Sequence, residues 1–160
     1  MSGYRDLCAL AVKYSKRFHD HNDECRILAA KLILGYAAYL ECPLDKIKQV
    51  ELDRTLKPTE RTTSLSERVR TIVDPEGFVH FAWRVSFDSP ASQHAATELV
   101  TFGLRIRDGI AIIREETDFA VNVDGVATWE PLFVYLHRQS ENAFSAGHGE
   151  RTKRIGFVGE

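Results

Sequence analysis

Residues 97–113, TELVTFGLRIRDGIAII, decide the fold of this 160-residue chain. Val100, Phe102, Leu104 and Ile106 recur every second position, the period of a strand with one apolar face. Asp108-Gly109 follows, the residue pair that closes a two-residue hairpin. A two-residue turn fixes the register of everything beside it. Leu104 then faces Ile113, Arg105 faces Ile112 and Ile106 faces Ala111.

The pattern extends outward from this hairpin. Residues 78–87 alternate, with Val79, Phe81, Trp83, Val85 and Phe87 on one face and Phe78, His80, Ala82, Arg84 and Ser86 on the other. Asp74-Pro75-Glu76-Gly77 is a turn signal between a strand at 68–73 and this one. Ser89-Pro90 opens a loop, and a further short strand is expected at 118–123, ending at Asp124-Gly125. Residues 44–55 are compatible with helix or strand, with the reading leaning to a strand from about 47. The segment 55–67, rich in Ser and Thr, reads as an exposed loop.

Helical periodicity flanks the strands. Tyr4, Leu7, Cys8, Ala11, Tyr14 and Phe18 recur at three- and four-residue steps, predicting an amphipathic helix over 4–19. His19-Asp20-His21-Asn22-Asp23 reads as a turn, because Asp and Asn side chains satisfy the free amides of a following helix. That second helix, about 23–41, is apolar nearly all round and ends at Cys42-Pro43. A last helix is expected at 129–144, with Thr128 as its cap and Pro131 inside the first turn. The fold class is therefore α+β: two N-terminal helices, an antiparallel meander of four to six strands and a C-terminal helix. Residues 1–144 form the single α+β domain, and 145–160 a polar, glycine-containing tail.

Composition excludes several function classes. The chain is 44% hydrophobic and 28% charged with a formal charge of −2, far from the disordered corner. No apolar run reaches the roughly 18 residues that span a bilayer. A pI near 6.3 argues against a dedicated nucleic-acid domain. Residues 77–127 hold four Arg/Lys against seven Asp/Glu, a mild acidic bias compatible with a basic partner. The N-terminus has no secretory pattern, and the three cysteines, Cys8, Cys25 and Cys42, lack CxxC spacing. Reduced thiols in the cytoplasm are the expectation.

Two clusters can carry chemistry. His19, His21 and Asp23 form an H-x-H-x-D run, and imidazole and carboxylate at this spacing can hold zinc or iron. The run resembles the start of the metallo-β-lactamase metal motif but departs from it at Glu24, and it follows a helix instead of a strand. The capped turn is the preferred reading, so no metal or cofactor is expected. On the polar face of 78–87, His80 could serve as a general base and Arg84 could hold a carboxylate or phosphate. Arg68, Arg70, Arg105 and Glu98 are expected on polar faces nearby, the pattern of a solvated sheet face.

No nucleophile elbow, phosphate loop or dinucleotide fingerprint is present. The helix-then-meander order resembles cystatin-like folds, which implies a curved sheet able to back a pocket. It is also similar to type III secretion chaperones, which carry a helix where SPASQHAAT (89–97) stands here. Two functions follow as expectations. The favoured one is a non-catalytic protein–protein interaction protein (adaptor, chaperone-like, immunity or assembly subunit) acting on a protein partner or as a homodimer. The alternative is a small-molecule pocket protein or enzyme using His80 and Arg84.

Overall fold

A computed structural model of the chain describes residues 3–88, 95–125, 129–145 and 155–158. One helix, α1 (Gly3–Tyr39), runs for 37 residues, about 55 Å at about 1.5 Å per residue. The strands that follow are β1 (Ile47–Leu52), β2 (Pro58–Thr63), β3 (Ile72–Val73) and β4 (Val79–Phe87). Then come β5 (Ala95–Arg107), β6 (Ile110–Arg114) and β7 (Asp118–Asn122). Helix α2 (Glu130–Ser145) and β8 (Ile155–Val158) complete the described elements. The α+β class stands, but the antiparallel sheet has eight strands among the described residues against the four to six expected, six of them ordered β2-β1-β4-β5-β6-β7. Strand β3 shares the β1 edge of β4, and β8 shares the β6 edge of β5.

The hairpin between β5 and β6 has the expected register: Leu104 pairs with Ile113, Arg105 with Ile112 and Ile106 with Ala111. Asp108 and Gly109 both have positive φ, 53° and 74°, as a type I′ turn requires. Both helices pack on one face of the sheet. Leu28, Leu32, Leu132 and Leu136 meet Val79, Trp83, Val85, Val100, Leu104 and Ile113 in one buried cluster. Truncating such a leucine to alanine costs about 2–5 kcal/mol. Phe133 joins the helices, with its ring 5.9 Å from those of Tyr36 and Tyr39.

Four further expectations are corrected. The two N-terminal helices are one, because the polar run at 19–23 is spent on tertiary contacts instead of caps. The Ile106 amide donates to His21 Nε2 at 3.2 Å, Thr71 Oγ1 donates to Asn22 Oδ1 at 3.2 Å, and Arg68 pairs with Asp23 at 3.2 Å. No Pro or Gly interrupts residues 4–34, and Asp, Asn or His each cost a helix only about 0.7 kcal/mol or less. Second, the loop at 55–67 contains β2, a polar edge strand of the kind that sequence alternation does not reveal. Third, of residues 68–73 only Ile72 and Val73 pair as a strand. Fourth, Glu98 is on the helix-covered face, since it shares the alternation of Val100. It is buried, and Ser140 Oγ of α2 donates to it at 2.7 Å.

The tail contributes β8, whose backbone pairs with Ala95–Glu98. The loop at Ser89-Pro90 and the cap at Thr128 lie outside the described residues.

Candidate functional site

The two sequence candidates are placed apart. His80 lies on the sheet face away from the helices, and its Nε2 donates to Asp74 Oδ2 at 2.8 Å. Asp74 closes the β3–β4 turn: its other oxygen accepts from the Glu76 and Phe78 amides at 2.9 and 3.0 Å. Burial works against the Asp74 carboxylate, but hydrogen bonds from His80, Phe78 and Glu76 outweigh it and hold its pKa below the ordinary value. Gly103 packs tightly beside this pair. A Cβ there would sit 3.0 Å from His80 Cε1 and 3.2 Å from Phe78 Cβ. The row continues across the sheet from His80 through Gly103 to Arg114 and Asp118. Arg114 holds Asp118 at 3.0 Å and also Glu76, and its guanidinium carbon lies 4.1 Å from the centre of the buried Phe78 ring.

Arg84 shares the face of His80 but lies four residues along the strand, about 13 Å at about 3.3 Å per residue. Neither residue lines the clefts described below. Asp74 was missed as the partner of His80. The only hint in sequence was its place at the start of the Asp-Pro-Glu-Gly turn, where an aspartate side chain reaches backbone and strand alike.

The 19–24 cluster is split by the helix. His19 and Asp23 share one side of α1, and His21 turns to the other. There His21 Nε2 accepts the Ile106 amide and lies 3.6 Å from Cys25 Sγ. Burial, then the charge of Glu24, pushes the Cys25 thiol up to about 12. Among the described residues no group of three His, Cys, Asp or Glu side chains converges as a metal site.

The largest unexplained feature is α1 itself. Residues 25–37 bury Cys25, Leu28, Ala29, Leu32, Ile33, Tyr36 and Ala37 against the sheet. The same stripe continues toward the N-terminus, where residues 3–20 are all exposed. Tyr4, Leu7, Tyr14 and Phe18 are 79, 65, 72 and 38% exposed. Together with Ala11 and His21 they occupy alternate three- and four-residue steps, the a and d positions of a heptad. Arg5, Asp6, Lys13, Lys16 and Asp20 fall at outer positions. Below the stripe, a cleft of about 940 Å³ opens between Tyr14, Phe18 and His21 on one side and the Asp74–Gly77 turn and Arg105–Arg107 on the other.

No family model, curated protein or solved structure matches this chain. No described helix is long and apolar enough to cross a membrane.

Proposed function

We propose that this is a non-catalytic protein–protein interaction protein, and that its docking element is the amino-terminal half of α1. The observation that carries the reading is the unburied heptad stripe from Tyr4 to Phe18. A helix of this length gains its stability from packing an apolar face. Contiguous apolar surface of this kind marks a protein contact.

The first occupant is a second copy of the chain, paired antiparallel. With facing residues numbered so that each pair adds to 25, a positions meet d positions, as antiparallel coiled coils require. Ala11 then faces Tyr14, Leu7 faces Phe18 and Tyr4 faces His21, with the small Ala11 receiving the Tyr14 ring. Apart from Arg17, which flanks the stripe beside Phe18, the charged side chains of residues 4–20 stay at the outer positions. A parallel pair is disfavoured on steric grounds, because from Cys25 onward the stripe is covered by each copy's own sheet. The arrangement has one twofold axis and closes on itself.

Sedimentation equilibrium of the full chain tests this. A monomer–dimer equilibrium supports the reading, and a monomer at every attainable concentration overturns it.

A further inference from the structure

A cavity of about 240 Å³ lies on the helix-covered side of the sheet, between α1, β1, β4 and the segment 65–71. Its floor is the stacked pair Phe81 and Trp83, with ring centroids 5.9 Å apart and planes 13° from parallel. Ala30, Ile33 and Leu65 supply apolar walls. Gln49 closes the segment over the cavity by donating to the Ser64 and Glu67 carbonyls at 2.8 and 2.6 Å.

Two guanidinium groups line this space, Arg26 and Arg68, with Glu67 beside Arg68; Arg68 is paired with Asp23, and Arg26 is the one without a carboxylate partner among the described residues. Arg26 projects from α1, and its Nη2 donates to Thr71 Oγ1 at 3.2 Å. Its Nε is buried and has no hydrogen-bond partner among the described residues. No carboxylate lies within ion-pair distance of its guanidinium among those residues, since the adjacent Asp23 is engaged by Arg68. A buried guanidinium nitrogen without an acceptor leaves a hydrogen bond to be made, and a carboxylate supplies the strongest complement.

We propose that this cavity is a binding site for a monocyclic aromatic carboxylate. The ring lies against Phe81 and Trp83, and the carboxylate pairs with the Arg26 guanidinium once that side chain turns its closed-off Nε toward the cavity. The size agrees: a dry cavity of about 150 Å³ holds benzene, so this one has room for a ring and a carboxylate. It falls below the roughly 300–1,000 Å³ of sites for drug-sized ligands. The site goes beyond the helix-pairing reading and stands without it, because α1 meets the cavity from Arg26 onward, outside the stripe.

Isothermal titration of the full chain with phenylacetate tests the proposal, alongside 2-phenylethanol as the neutral isostere and acetate as the ring-free acid. Phenylacetate is expected to bind one per chain, at least about tenfold tighter than either comparison compound. Arg26→Gln is expected to remove that preference for the acid, while Arg26→Lys retains part of it. Native near-ultraviolet circular dichroism of each variant separates loss of the site from loss of the fold. Equal affinity for acid and alcohol, the same affinity in Arg26→Gln as in the wild type, or no binding of phenylacetate would each overturn the assignment.

Discussion

Replacing Leu7 by alanine is the sharpest perturbation of the projecting helix. Leu7 is 65% exposed, so the isolated chain gains little from it in folding. In the paired state it meets Phe18 of the second copy. The substitution removes three carbons, worth about 0.8 kcal/mol each when fully buried. Scaled by the exposed fraction, that is about 1.6 kcal/mol per copy, and twofold symmetry counts it twice. The dimer should weaken by about 3 kcal/mol, a rise in Kd of about 100-fold at about 1.4 kcal/mol per decade. Sedimentation equilibrium reads this directly. Thermal melts add a second test through mass action. At high concentration the variant melts below the wild type, and on dilution the two curves converge, because only association has changed. Lys13→Ala, at an outer heptad position, is the control and should leave Kd within a few-fold. Equal effects of Leu7→Ala and Lys13→Ala, or a lower melting point for Leu7→Ala at every dilution, would refute the reasoning.

Three further outcomes follow from the fold. Gly103→Ala forces a methyl within 3.0 Å of His80 Cε1 and 3.2 Å of Phe78 Cβ. Urea unfolding should record a loss of about 1–3 kcal/mol, partly recovered by adding His80→Ala; an unchanged midpoint contradicts the close packing. The Asp74 carboxyl has a native pKa below its unfolded value, so its contribution to stability is present above about pH 4 and fades as pH falls through the lower native value. Asp74→Asn should flatten the acid limb of a stability–pH curve below that point, and a slope identical to wild type argues against the pairing with His80. Cys25, buried and with a thiol pKa of about 12, should resist alkylation at pH 8 until the protein is unfolded. Modification of Cys25 in native protein, read by mass spectrometry of its peptide, would contradict its burial.

The parts of this fold that were readable from sequence are those in which local chemistry and tertiary packing agree. Asp108-Gly109 imposes its turn whatever surrounds it, so the pairing of Leu104 with Ile113 follows from two residues. Pro131 lies in the first turn of α2, as expected from its missing amide. The helix break at 19–23 failed for the opposite reason. Its side chains were read as local caps, yet distant partners at Ile106, Thr71 and Arg68 employ them and leave the helix continuous. That continuity turns an ordinary amphipathic pattern at 4–18 into a projecting stripe. The site residues were legible only one at a time. His80 was visible as a polar residue on a strand, but Asp74 becomes its partner through the turn, and Arg26 acquires its character from a cavity formed by four separate segments.

Spin-label distances read the proposed antiparallel pairing of α1 without an intermediate. Labels at Arg5, Val12 and His19, introduced singly as cysteines in a Cys8→Ser, Cys42→Ser background, share one outer side of the helix at seven-residue steps. With facing residues adding to 25, the two Val12 labels are offset along the axis by about 1.5 Å, the Arg5 labels by about 22 Å and the His19 labels by about 20 Å. Double electron–electron resonance should therefore give its shortest distance at Val12 and clearly longer ones at Arg5 and His19. Equal distances at all three positions, or no dipolar coupling at any, would contradict the account.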